Sequence, residues 1–120
     1  AVAERTKATI AARRAGGHPV RAVITDDRSI TAELLFYMRG DPTPVLAWRG
    51  PGRPQDHYEL TRPYGRGSPE PVLLVSLRPD AAAITGRFAR AEQIAADRLP
   101  AGAGQGRAVT FHVLSGYRGP

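Results

Sequence analysis

Val72-Leu73-Leu74-Val75-Ser76-Leu77 is the most apolar run in the chain, and its character decides the fold class. A strand with one wet face alternates apolar and polar residues. A continuous run predicts burial on both faces, as in a parallel sheet covered by helices. Toward the N-terminus, Val20 to Thr25 carries Val20, Ala22, Val23 and Ile24 and reads as a strand of the same kind, and Pro44 to Trp48 reads as another. Between these two, Asp26 or Asp27 supplies the N-cap of a helix reaching about Arg39, with Ile30, Leu34, Tyr37 and Met38 at i, i+4, i+7 and i+8 on one face. Gly40 and Pro42 end it. Ala3 to Ala15, rich in Ala, Arg, Glu and Lys and closed by Gly16-Gly17, predicts a first helix whose apolar face, from Ile10 and alanines, is thin.

Toward the C-terminus, Asp80 caps a predicted third helix running through Phe88. Ala89 to Leu99 stays open between helix and strand: Ile84, Phe88, Ala91 and Ala95 fit helical spacing, while Gly86 weakens a helix. After the Gly-rich stretch Ala101 to Gly106, residues Arg107 to Leu114 alternate, with Val109, Phe111 and Val113 on one face and Thr110 and His112 on the other, which predicts a half-buried last strand. Arg49 to Asp56 reads as a long loop, His57 to Arg62 as a short strand or an irregular segment, and Pro63 to Pro71 as loop again. No internal repeat or linker interrupts the 120 residues. The expectation is a single α/β domain over 1–120, three-layered and sandwich-like, with helices packed on a largely parallel sheet.

Composition narrows the chemistry. Cysteine is absent, which excludes a disulfide framework, a thiolate nucleophile and a zinc site built on sulfur. Seventeen basic residues against eleven acidic ones leave a net charge of +6, and Lys7 is the sole lysine. Such a surface attracts phosphate-bearing partners, and the arginine fork suits bidentate contacts. No stretch approaches the ~20 apolar residues that cross a bilayer, and the first residues lack the apolar core of a signal peptide. The chain begins at Ala1 without a methionine, which fits a piece of a longer protein or a processed terminus.

The glycines of Ala101 to Gly106 precede a strand, whereas a dinucleotide loop must follow one and open a helix. Thr25-Asp26-Asp27-Arg28 has no glycine and puts negative charge where a phosphate would sit. Asp26 and Asp27 also resemble the acidic pocket of phosphorylation receiver domains. The third strand ends Ser76-Leu77-Arg78 without the required aspartate, and the lysine lies in the first helix, so helix capping is the better account. Asp56, His57 and Glu59 form the densest titratable cluster, yet they lack a third metal ligand nearby, and no Gly-x-Ser-x-Gly elbow serves a hydrolase. Their plainer role is structural, with Glu59 pairing Arg53 or Arg62 while Tyr58 and Leu60 face the core. His18 reads as a turn residue and His112 as a solvent-side strand residue. Phe36, Tyr37 and Trp48 read as core, and the scattered arginines carry no nucleic-acid signature.

Four stretches carry a family resemblance: Thr25-Asp26-Asp27-Arg28 through Glu33-Leu34; Pro44-Val45-Leu46-Ala47-Trp48; Arg53-Pro54-Gln55-Asp56-His57-Tyr58-Glu59-Leu60; and Leu114-Ser115-Gly116-Tyr117-Arg118-Gly119. The chain from about Val20 onward resembles the soluble C-terminal portion of bacterial membrane glycosyltransferases of family 39. These are relatives of the dolichyl-phosphate-mannose protein mannosyltransferases and the lipid A aminoarabinose transferases. The resemblance implies an accessory domain on the periplasmic side of the bacterial inner membrane, attached after a bundle of transmembrane helices that transfers a sugar from a polyprenyl-phosphate donor. Its catalytic residues would lie in that bundle, so no catalytic, cofactor or metal residue is expected in this chain. Arg53, Asp56, His57, Tyr58 and Glu59 would contact the membrane part or substrate. The expected partners are the transmembrane portion, with anionic head groups or the lipid donor, and no nucleic acid. The resemblance also favours Ala91 to Leu99 as a strand pairing antiparallel with Arg107 to Leu114. The competing expectation is a free-standing α/β enzyme or binding domain that recognises a phosphorylated or anionic ligand.

Overall fold

The computed structural model describes residues 2–48, 62–65, 67–77, 81–98 and 108–119. Their order is α1 (Val2–Ala15), β1 (Ala22–Thr25), α2 (Arg28–Tyr37), β2 (Val45–Ala47), β3 (Val72–Ser76), α3 (Ala82–Thr85), β4 (Phe88–Arg98) and β5 (Ala108–Tyr117). The strands form one mixed sheet in the order β2-β1-β3-β5-β4. The β2-β1-β3 half is parallel, and β5 and β4 continue it antiparallel. This is the expected α/β domain, with helices on the sheet and a C-terminal antiparallel strand pair.

Strand alternation sorts the core into two layers. Val23, Val45, Leu73, Val75, Val109 and Phe111 face the helices, meeting Ile10 of α1 and Ile30, Leu34 and Met38 of α2. Ala22, Ile24, Val72, Leu74 and Leu114 face the opposite side, where Trp48, Tyr64, Ile84 and Phe88 cover them. All five residues of β3 are buried, as its unbroken apolar run requires. Asp27 caps α2, accepting from the Ser29 and Ile30 amides. α1 ends where Gly17 adopts φ +80°, a conformation that glycine takes without strain.

Several local readings need correction. The third helix stops at Thr85 and Phe88 already begins β4, because Phe88 joins the aromatic layer below the sheet. Tyr37 and Phe36 are each 57% exposed, since the buried stripe of α2 is narrower than the sequence spacing allows. His112 is only 8% exposed, because the face opposite the helices is also covered. Tyr64, within the predicted Pro63 to Pro71 loop, is a core residue. Nor is Asp80 the N-cap of α3: that position is Ala81, which makes no side-chain cap hydrogen bond, because the helix starts one residue later than the sequence suggests, and Asp80 itself lies outside the described residues.

Candidate functional site

Arg53, Asp56, His57, Tyr58 and Glu59 all lie outside the described residues. What flanks them is well defined. Ala47 donates to the Arg62 carbonyl at 2.7 Å, the Tyr64 amide donates back to Ala47 at 2.9 Å, and the Trp48 and Tyr64 rings stack with centroids 6.4 Å apart. The chain therefore leaves β2 at Trp48 and returns beside it at Tyr64. Phe88 and Tyr117 complete this aromatic cluster, with Tyr117 5.0 Å from Tyr64 and 5.2 Å from Phe88. Glu70 fastens it: its carboxylate accepts from the Gly116 amide at 2.8 Å and the Tyr117 amide at 2.9 Å. Burial, and next to it the Glu70 charge, push the Tyr64 hydroxyl above the usual tyrosine range.

A second place of interest is the carboxyl end of the parallel strands. The chain leaves β1 into α2 on one face of the sheet, and it leaves β3 toward α3 on the other. Open α/β sheets bind ligands at such a divergence. Here Asp26 closes the gap. Its carboxylate accepts from Ser76 Oγ at 2.5 Å and from the Leu77 amide at 3.0 Å. His112, on the same face, holds Thr110 Oγ1 at 3.1 Å from its Nε2. Burial depresses the His112 pKa, partly offset by the Asp26 charge. Both aspartates of the Asp26-Asp27 pair thus have structural duties. Among the described residues no group of three His, Asp or Glu side chains is placed to hold a metal ion.

The third place was not singled out from the sequence. A groove of about 380 Å³ runs between α1 and the edge strand β4, lined by Arg5, Thr9, Ala12, Arg13, Gly16 and His18 on one side and by Ile94 and Ala95 on the other. Arg5 and Arg13 are eight residues apart on the helix, so they mark points about 12 Å apart along its axis. Arg13 commits its Nε to the His18 carbonyl at 3.1 Å, and among the described residues nothing else engages its guanidinium. Arg5 makes an exposed ion pair with Asp97 at 3.7 Å and lies 6.0 Å from the Phe111 ring centroid. Such a pair is weak enough for a ligand anion to displace. Arg13 and Arg14 also offset the negative end of the helix dipole at this end of the groove. The groove therefore offers cations and an apolar floor together. The sequence signal was there in the stripe Arg5, Thr9, Ala12-Arg13 and Gly16, at i, i+4, i+7/i+8 and i+11.

Comparison of the chain with protein families, with curated proteins and with solved structures gives no match.

Proposed function

We propose that this domain is a binding module for an anionic ligand with an apolar portion, seated in the groove between α1 and β4. One observation carries the reading: Arg5, Arg13 and His18 surround a cavity of about 380 Å³ whose floor is Ala12, Ile94 and Ala95. That volume falls within the range of small-molecule sites. The guanidinium of Arg13 supplies a fork for a phosphate or carboxylate, and Arg5 exchanges Asp97 for ligand charge.

The test is calorimetric titration of the chain with dodecyl phosphate below its micelle concentration, with inorganic phosphate in parallel. Saturable binding of dodecyl phosphate is expected, weakened about tenfold by Arg13→Gln and less by Arg5→Gln, because Arg5 is shared with Asp97. Inorganic phosphate alone should bind more weakly, lacking contact with Ile94 and Ala95. Absence of saturable binding, or binding indifferent to Arg13→Gln, overturns the reading.

A second reading is an accessory periplasmic domain of a family 39 membrane glycosyltransferase, which acts on a polyprenyl-phosphate sugar and leaves catalysis to the membrane part. What supports it is the resemblance together with a spatial coincidence. The flanks of the Asp56-His57-Tyr58-Glu59-Leu60 stretch, Trp48 and Tyr64, meet Tyr117 of the Ser-Gly-Tyr-Arg-Gly stretch in one aromatic cluster. A polyprenyl phosphate is also an amphiphilic anion. In an intact enzyme, alanine at His57 and Glu59 should lower sugar transfer with little loss of folding. Unchanged transfer refutes this reading and leaves the groove untouched.

A further inference from the structure

Phe36 and Tyr37 are the exposed large hydrophobic side chains among the described residues, each 57% accessible. They are adjacent at the C-terminal end of α2, and their rings meet edge to face with centroids 5.0 Å apart. Arg39 lies against this pair, its guanidinium carbon 4.4 Å from the Phe36 ring centroid and its Nη1 donating to the Phe36 carbonyl at 2.7 Å. The two exposed rings stand side by side on the helix surface as one wedge. Beside the wedge is a cavity of about 330 Å³ between the end of α2 and β2, with Arg39 and Arg62 among its lining residues. Nearby, Arg14 of α1 reaches Asp41 at 4.0 Å, so the carboxylate that lines this cavity among the described residues already has a cation near it.

A protruding aromatic pair with arginines at its base is the chemistry of a bilayer interface, where the rings enter the headgroup region and the guanidinium groups meet phosphates. The net charge of +6 adds long-range attraction to a negative surface. We propose that the Phe36–Tyr37–Arg39 corner docks this domain on an anionic phospholipid bilayer, with the two rings inserted at the headgroup level and a lipid phosphate taken between Arg39 and Arg62. The patch lies on α2 and β2, apart from the α1 and β4 groove, and the inference does not depend on what that groove binds.

The test is flotation of the chain with vesicles of phosphatidylcholine containing phosphatidylserine, and with vesicles of phosphatidylcholine alone. The unaltered chain should float with the former and stay behind with the latter. Phe36→Ser with Tyr37→Ser should lower partitioning by about tenfold or more, since both inserted rings are lost. Arg39→Gln should lower it by about fivefold, the effect of one basic residue near such a surface. These side chains lie outside the core, and circular dichroism checks that each variant folds. No flotation of the unaltered chain, or flotation insensitive to the aromatic substitutions, overturns the proposal. Sedimentation velocity provides the remaining arm: a dimer dissolved by the same double substitution would assign the patch to a second copy of the chain and defeat bilayer docking.

Discussion

Asp26 and Ser76, fifty positions apart in the chain, are joined by a 2.5 Å hydrogen bond that ties the end of β1 to the end of β3. The same carboxylate takes the Leu77 amide at 3.0 Å. Ser76 is fully buried, so a lost partner is not replaced by water. Asp26→Ala should lower the unfolding free energy by about 2 kcal/mol. Asp26→Asn keeps one acceptor oxygen for the Leu77 amide and should lose less. Urea denaturation of the two variants measures this; equal losses would mean that the one acceptor oxygen kept by asparagine contributes nothing and that the ionised carboxylate with both its oxygens is required.

The neighbouring His112 imposes a pH dependence whose sign follows from burial. Its pKa is lowered in the fold from the ordinary value of 6.5, so the unfolded chain takes up the proton first as pH falls. Stability should be level above pH 6.5 and decline below it, down to the folded pKa. His112→Gln retains a partner for Thr110 and removes the titration. Denaturation midpoints on both sides of pH 6.5 should therefore converge in the variant. A wild-type midpoint that does not fall on acidification would contradict a neutral, buried imidazole.

How much of this was legible follows from where each signal sits in the chain. The unbroken apolar run at Val72, the Asp27 cap and the alternation of Val109, Phe111 and Val113 are local patterns, and each corresponds to an element of the structure. The strand over Ala89 to Arg98 was ambiguous because its exposed residues carry no alternation; pairing with β5 decides it. Glu70 could not be singled out, since it lies between prolines and its partners Gly116 and Tyr117 are 46 and 47 positions away. Tyr37 satisfied the helical spacing but sits one step off the stripe that Ile30, Leu34 and Met38 bury. The groove arginines looked like ordinary helix surface until β4 was laid beside them. The predicted loop contacts Arg53 to Glu59 lie outside the described residues.

Glu70 is the fastening of the aromatic cluster, and its removal should be seen by the rings it holds. Glu70→Ala leaves the Gly116 and Tyr117 amides without their acceptors and should cost about 2 kcal/mol. Trp48 stands in the same cluster, 6.1 Å from Tyr117, so its fluorescence and the near-ultraviolet circular dichroism should change with it. Glu70→Gln keeps an acceptor but removes the charge that, after burial, raises the Tyr64 hydroxyl. An alkaline absorbance titration should then find Tyr64 ionising at lower pH than in the unaltered chain. If the titration does not move, Glu70 acts on Tyr64 through packing alone.

Gly116 of β5 lies hard against Ala89 of β4. Its φ is +75°, and a Cβ placed on it would stand 2.6 Å from the Ala89 Cβ and 3.3 Å from the Ala89 amide nitrogen. Two penalties therefore fall on Gly116→Ala, backbone strain at positive φ and a steric clash, and together they should cost about 2–3 kcal/mol. They separate experimentally. Ala89→Gly deletes the Cβ on the opposing strand, so the double variant should recover the clash component while keeping the strain. The tight approach to the Ala89 backbone remains as well, so recovery should be partial. A double-mutant cycle by urea denaturation reads the coupling directly. Purely additive losses would mean that β4 moves aside to admit the methyl group, and that the close contact between Gly116 and Ala89 does not constrain the register of the pair.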